Sequence, residues 1–316
     1  MQYELAIIGG GPAGVAAGVY AARKKIKTVL ITDSFGGQSA VSEDVRNWIG
    51  TKSIAGFDLA KNLEEHLRDQ EGIVIKEGAL AEKVERQEGG FAITLAPPAG
   101  GQADGEKLTA RLLLITAGSS RRKLGVPGDD KFEGRGVVYC STCDAPIFKN
   151  KTVAVVGGGN AGLEAVVDLI SYATKIYLIV RSDLLKGDPI TQEKVAKSDK
   201  AEIIYNAQTE EVLGDKFVTG LRYKNAKTGE SKELKLDGVF VEIGSVPNSG
   251  QVKDFVQVNN FGEIIVDHKT QKAADGIWAA GDVTDVLYKQ NNISMGDAVK
   301  AVLNIYEFIH KGDKAR

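Results

Sequence analysis

Apolar residues in this chain gather into short unbroken runs that close on glycine. Glu4-Leu5-Ala6-Ile7-Ile8 predicts a buried strand running into Gly9-Gly10-Gly11-Pro12-Ala13-Gly14. An alanine-rich stretch from Pro12 to about Lys25 predicts a helix, and Thr28 to Thr32 a second strand. The order then recurs. Thr152 to Val156 feeds Gly157-Gly158-Gly159-Asn160-Ala161-Gly162, a helix to about Tyr172 and a strand from Lys175 to Val180. Leu112 to Gly118 is a continuous apolar run, as expected of a central strand in a parallel sheet. Gly238 to Gly244 reads as its counterpart in the second repeat, and Gly276 to Asp282 as a further buried strand closing on Gly-Asp. Between the repeats, Ile73–Ile75, Lys83–Glu85 and Phe91–Leu95 predict short strands, and Ala96 to Gly101 an exposed hairpin tip. Asp58 to Gln70 predicts a charged helix, and Met295 to Ile309 the last one.

Each repeat fits GxGxxG between a strand and a helix. Gly9 and Gly157 would make the tight turn, Gly11 and Gly159 would let the backbone approach a pyrophosphate, and Gly14 and Gly162 would let helix and strand pack closely. The free N–H groups at each helix start suit phosphate oxygens. Asp33, about 20 residues past the first glycines, can accept from ribose hydroxyls. One such motif alone is weak evidence. Two, each in strand–turn–helix–strand context, predict an α/β protein with two Rossmann-like dinucleotide-binding domains. The alternative is one working site and one vestigial unit. A length of 316 residues also makes two domains the default.

Charge narrows the partners. Forty basic and 42 acidic residues leave a net charge of -2, so there is no electrostatic case for nucleic acid or an acidic membrane. No apolar run reaches membrane-spanning length, and the start has neither a basic n-region nor a cleavage pattern. A cytoplasmic location is the expectation.

Both cysteines lie in Cys140-Ser141-Thr142-Cys143-Asp144. Two cysteines argue against an extracellular disulfide scaffold; a lone CxxC in a reducing cytosol is more readily catalytic or metal-binding. A zinc site needs further ligands, and His66, His268 and His310 are scattered, so no metal is expected. A dithiol beside two dinucleotide sites suggests a relay from nicotinamide through a flavin to a disulfide. Cys140 and Cys143 precede the second repeat, so dithiol and nicotinamide would share one domain and take turns at a flavin held by the other. Asp144 could protonate a released thiolate, or could be a solvated turn residue before Pro146.

The motifs GGGPAG, FGGQ (Phe35 to Gln38), ITAG (Ile115 to Gly118), VPGDDKFEGRGVVYCSTCD, GGGNAGLEA and GIWAAGD, in that order, cover nearly the whole chain. The chain resembles the low-molecular-weight thioredoxin reductases, and also the C-terminal flavoprotein portion of bacterial alkyl hydroperoxide reductase. The resemblance implies a discontinuous FAD domain, residues 1–116 and 246–316, with the NAD(P)H domain, 117–245, inserted in it. FAD would be held by Gly9, Gly11, Pro12, Ala13, Gly14, Asp33, Gly37, Gln38, Ala117, Gly118, Gly281, Asp282 and Gln290, with Asp282 on the ribityl chain. The nicotinamide dinucleotide, NADPH or NADH, would be held by Gly157, Gly159, Asn160, Ala161, Gly162, Arg181 and Lys186. Cys143 would face the flavin, Cys140 would exchange with the protein substrate, and Asp144 falls on the family's acid/base position. A homodimer with rotating domains is implied.

Three departures stand out. Ala145 replaces the glycine that commonly follows CxxCD. Val180-Arg181-Ser182-Asp183-Leu184-Leu185-Lys186 replaces the His-Arg-Arg-x-x-x-Arg cluster of NADPH-using members, which weakens a 2′-phosphate grip without creating an NADH signature. The chain starts at its fingerprint strand, which favours a free-standing reductase, although GGGNAGLEA leans toward the hydroperoxide branch. Reduction of thioredoxin or a thioredoxin-like protein is the leading expectation. The alternatives are reduction of a glutaredoxin-like carrier for a peroxiredoxin, a ferredoxin-fed reductase, and a flavin-binding redox sensor without turnover.

Overall fold

The structure is a computed structural model that describes residues 2–42, 45–96 and 105–311. Strand β1 (Tyr3–Gly10) leads through the first glycine turn into helix α1 (Pro12–Arg23) and strand β2 (Thr28–Phe35). Helix α2 (Gly56–Arg68), β3 (Ile73–Glu77), β4 (Ala81–Gln87), β5 (Gly90–Leu95) and β6 (Lys107–Ile115) follow. After the short β7 (Ser119–Arg121) come β8 (Val137–Val138), the one-turn helix α3 (Ser141–Asp144) and β9 (Thr152–Val156). Then α4 (Asn160–Ile170), β10 (Lys175–Ile179), α5 (Pro189–Ala196) and β11 (Ala201–Ile204) complete the second repeat. An antiparallel sheet of β12 (Ala207–Gly214), β13 (Val218–Asn225) and β14 (Ser231–Lys235) precedes β15 (Gly238–Val241) and β16 (Ser245–Pro247). The chain ends with β17 (Lys272–Ala274), β18 (Ile277–Ala279) and α6 (Asn291–Lys311).

Two sheets carry the two repeats. The first has eight strands, ordered β17-β18-β6-β1-β2-β3 with β4 and β5 attached through β6. The second has the order β11-β10-β9-β15-β8. In both, the strand before the glycine turn lies inside the sheet, parallel to its neighbour on each side, and its side chains are buried on both faces. The chain leaves the first sheet after β6 and returns after β15, and these two crossings pair antiparallel as β7 and β16.

Strand β6 starts earlier than its apolar run. Lys107 to Arg111 alternate between exposed and buried against antiparallel β5, whereas Leu112 to Ile115 are all buried between β1 and β18. Helix α6 also starts earlier, at Asn291, because its first turns bury the polar Ser294 and Asp297, which an apolar period does not register. The hairpin tip expected at 96–101 falls, from residue 97, outside the described residues.

Small residues bring the first repeat together. A side chain at Gly18 would meet Leu67 and Ile73, so α1 lies close on α2 and β3. Trp278 on β18 is fully buried, donates from Nε1 to Asn304 Oδ1 at 2.9 Å and meets Phe308 edge-on. That satisfied indole ties the last strand to α6; an aromatic so buried contributes about 3 to 5 kcal/mol. Among the described residues no helix is long and apolar enough to cross a membrane.

Candidate functional site

The two glycine turns divide their glycines in the same way. A Cβ on Gly9 would strike the Thr116 carbonyl, and one on Gly14 would strike the Gly9 carbonyl. Both are therefore needed by the protein's own packing. At Gly11 the nearest neighbour would be Gly37 Cα, 3.9 Å away. In the second turn a Cβ on Gly157 would strike the Glu242 carbonyl and one on Gly162 the Gly157 carbonyl, whereas Gly159 faces open space. Packing does not require glycine at 11 or 159. Backbone bared to an open cradle at a helix start is what a pyrophosphate needs.

The first turn opens on a cavity of about 750 Å³, lined by Gly9, Gly11, Pro12, Ala13, Asp33, Gly37, Gln38, Ala117, Gly118 and Asp282 among others. Gly14 lies beneath it as packing. Gly281 takes a left-handed φ of 78°, and a side chain there would press on Ser294 at 3.1 Å. Ser294 Oγ donates to Asp282 Oδ1 at 3.1 Å and so orients that carboxylate. Asn248 Nδ2 donates to the Ala117 carbonyl at 2.8 Å and its backbone N–H to the Gly118 carbonyl at 3.0 Å, which fixes the far wall. The size and polarity of this cavity suit a dinucleotide.

Cys140 and Cys143 form a disulfide with Cα atoms 5.3 Å apart. Cys140 is the residue before α3, in extended conformation, and Cys143 is within the helix. Both line a second cavity, of about 460 Å³, together with Asp144, Lys289 and Gln290. Gln38, Ser39, Ser120, Asp282 and Asn291 line both cavities, so the dithiol opens onto the far end of the space that begins at Gly9. Asn47 Nδ2 lies 3.9 Å from Cys143 Sγ and donates to Gln290 Oε1 at 3.0 Å. Asp144 is only 5% exposed, which rules out a solvated turn residue. Ser141 Oγ donates to Asp168 Oδ2 on α4 at 2.8 Å, fastening α3 to the second sheet's helix.

The second turn lines neither cavity. The backbone N–H of Lys186 donates to the Gly158 carbonyl at 2.8 Å, and that of Asp188 to Asn160 Oδ1 at 2.7 Å. This folds the segment after β10 against the glycine turn, with Arg181 and Lys186 exposed beside it. Among the described residues no group of three His, Cys, Asp or Glu side chains gathers as a metal site. His66 and His310 are exposed, and His268 Nε2 lies 3.4 Å from Asp285 Oδ1.

Two titratable groups flank the dithiol. Burial raises the Tyr139 phenol, and the nearby Asp129 carboxylate, 3.3 Å from its hydroxyl, adds to the shift. Burial likewise pushes Glu242 up to about 7, with Asp144 and Asp168 adding to it and Arg121 and the Ser141 N–H opposing it. Asn47, Arg121, Glu242, Lys289 and Asn291 are site residues that no sequence motif singles out. Of these, only Lys289 and Asn291 have a local signal, since they flank Gln290.

A dithiol at the mouth of one dinucleotide cavity, carried on the sheet of a second dinucleotide turn, is the arrangement of a disulfide oxidoreductase. The chain belongs to the pyridine nucleotide-disulphide oxidoreductase family, whose model matches residues 3–302. Membership brings FAD and NAD(P)H as its cofactors. An alkyl hydroperoxide reductase polypeptide of Staphylococcus aureus is 39% identical over 97% of this chain and 59% of its own length. The chain thus spans about three fifths of the curated relatives it matches. Thioredoxin reductase from Streptococcus pyogenes is 30% identical with a TM-score of 0.86, covering 98% of both chains. The Lactococcus lactis thioredoxin reductase in its FR conformation is 29% identical over 98% of this chain and 100% of its own, with a TM-score of 0.68.

Proposed function

We propose that the chain passes electrons from NAD(P)H through FAD and the Cys140–Cys143 disulfide to thioredoxin or a thioredoxin-like protein. The observation that carries this reading is the shared wall of the two cavities, which puts the dithiol at one end of the dinucleotide space. FAD would be held by residues 1–116 and 246–316, and NAD(P)H by 117–245; the division of strands between the two sheets supports these boundaries. Bound FAD supplies hydride acceptance from the nicotinamide and two-electron delivery to a disulfide. Gly11 and the N–H groups of α1 would receive its pyrophosphate, Asp33 its adenosine ribose and Asp282 its ribityl hydroxyls. Cys143 would face it, and Cys140 would attack the substrate disulfide. Asp144, buried beside both, would supply or hold the proton of a released thiolate. Asp144→Asn should slow disulfide turnover about a hundredfold while flavin reduction by the nicotinamide stays within about twofold, as stopped-flow absorbance would show.

The second glycine turn lies away from both cavities, so the nicotinamide would reach the flavin only after the two units move. Near-equal identity and coverage with TM-scores of 0.86 and 0.68 support two relative placements of the same parts. A homodimer and a cytoplasmic location complete the proposal. The deciding experiment is anaerobic titration of the yellow holoprotein with NADPH and NADH separately, followed by addition of oxidised thioredoxin. Bleaching that thioredoxin reverses supports the reading; no bleaching with either nucleotide overturns it in favour of a protein electron donor. The likeness to the staphylococcal alkyl hydroperoxide reductase polypeptide favours a second reading, in which the acceptor is a thioredoxin-like carrier for a peroxidase. Bleaching that thioredoxin leaves unchanged would favour it.

Nucleotide preference should be modest. Arg181 and Lys186 are exposed, and such contacts to a phosphate are worth about 1 to 2 kcal/mol each. Ser182 stands where a second planar guanidinium would have added geometric selectivity. Combined Arg181→Ala and Lys186→Ala should lower kcat/KM for NADPH by about tenfold or more and leave NADH within about twofold. An unchanged ratio would show that neither residue reads the phosphate.

A further inference from the structure

Strand β15 runs parallel to β8 on one side, with Val239 opposite Val137 and Phe240 opposite Val138, and to β9 on the other, with Val241 opposite Val156. On the β9 side the pairing carries on past the strand end: the Glu242 N–H donates to the Val156 carbonyl at 2.9 Å, and a Cβ on Gly157 would strike the Glu242 carbonyl. On the β8 side the chain bends at Tyr139, and the Ser141 N–H at the start of the CxxC helix donates to the Glu242 carboxyl. The Glu242 carboxyl therefore stands between the dithiol and the second glycine turn, at the carboxyl edge of the sheet where such folds bind their ligands. The charged groups facing it come from each neighbouring element: Arg121 from β7, Asp144 from α3 and Asp168 from α4. Arg121 also donates from Nε to Gln38 Oε1 at 2.6 Å, so its positive charge is shared with the wall of the dinucleotide cavity. Three carboxyls thus surround the start of the CxxC helix, with one guanidinium among them.

We propose that Glu242 is a positioning residue that couples one proton to the redox state of the Cys140–Cys143 dithiol. This rests on the reading of that dithiol as the exchanging pair. Two electrons break the S–S bond and leave two thiolates, and two protons are taken up with them: one reaches a thiolate through Asp144, and the other is shared between the Cys140 thiolate and the Glu242 carboxylate. Glu242 contributes no electrons. While Cys140 remains a thiolate, its negative charge makes the ionised carboxylate costlier, so Glu242 holds that second proton on reduction and gives it up on reoxidation. The same coupling acts in reverse: an ionised Glu242 disfavours the Cys140 thiolate. Its titration near neutral pH puts this exchange in the working range.

The test is the pH dependence of Cys140 alkylation by iodoacetamide in full-length holoprotein reduced with dithiothreitol, read by mass spectrometry of the Cys140 peptide. This requires neither a nicotinamide nor a protein substrate, so it can fail independently of the proposed function. The wild type should show two steps, one of them near pH 7. Glu242→Gln should show one, with its half-maximal pH lower by about half a unit to one unit. Glu242→Asp, which keeps a titratable group, should restore two steps. Superimposable wild-type and Glu242→Gln profiles would overturn the proposal. A second measurement needs no variant. Oxidised-minus-reduced infrared spectra of the wild type should show protonated carboxyl intensity gained on reduction, and no change in that band is equally fatal.

Discussion

Cys140→Ser and Cys143→Ser should each lower disulfide reduction by about a thousandfold or more, and should differ in what the remaining thiol does. Cys143 has Asn47 against its sulfur and shares its cavity with Asp282 and Gln290. With Cys140 replaced, a free thiol is left in the cavity that opens onto the proposed flavin space, so the visible spectrum of the yellow protein should be perturbed. With Cys143 replaced, Cys140 can still attack a partner disulfide, but no second thiol can resolve the product. A mixed disulfide with thioredoxin or its equivalent should then accumulate and survive non-reducing electrophoresis. Both variants should still accept electrons from the nicotinamide. Turnover at the wild-type rate by either one would remove the dithiol from the electron path. Trapping by Cys140→Ser instead of Cys143→Ser would reverse the two roles.

The parts of this site that sequence carries openly are those in which one local pattern has one physical cause. Gly9 to Gly14 sits between a buried strand and a helix, and the spacing of these two glycines reflects a local collision, of a Cβ at 14 with the carbonyl of 9, that the structure reproduces. Leu112 to Ile115 reads as central because only strands covered on both faces stay apolar without alternation. Asp144 is ambiguous in sequence for the opposite reason. An aspartate before Ala-Pro suits a solvated turn as well as a buried acid, and only the packing of α3 against α4 through Ser141 and Asp168 decides between them.

What sequence hides is adjacency across distance. Glu242 meets the Ser141 N–H, about a hundred residues away in the chain, only because β15 and β8 run side by side. Asn47 reaches Cys143 from 96 residues away in the chain, from a stretch without periodicity. Arg121 lies in β7, a three-residue strand whose partner, β16, is more than a hundred residues away. None of these has a signature within a window, and all of them adjust the charge or position of groups that do.

Gly11→Val and Gly14→Val should separate ligand binding from folding. Gly11 is the residue before α1, at φ -69° and ψ -176°, a conformation that valine adopts without strain. A Cβ there meets no protein atom closer than 3.9 Å, so the apoprotein should keep its stability within about 1 kcal/mol. The added methyl groups would occupy the space a pyrophosphate needs, and FAD affinity should fall by at least about a hundredfold, or roughly 3 kcal/mol. Gly14→Val should behave differently, because its Cβ would overlap the Gly9 carbonyl and force α1 off β1. Overpacking of backbone against backbone there should cost about 3 kcal/mol or more of folding stability, with FAD lost as a consequence. Gly159→Val supplies the counterpart in the second turn: a folded, yellow protein whose flavin NADPH no longer bleaches. Thermal unfolding of the apoproteins, FAD reconstitution and anaerobic titration distinguish the three. If Gly11→Val retains FAD at wild-type affinity, the pyrophosphate does not lie on that turn. If Gly159→Val is reduced by NADPH as readily as the wild type, the second turn is not the nicotinamide site.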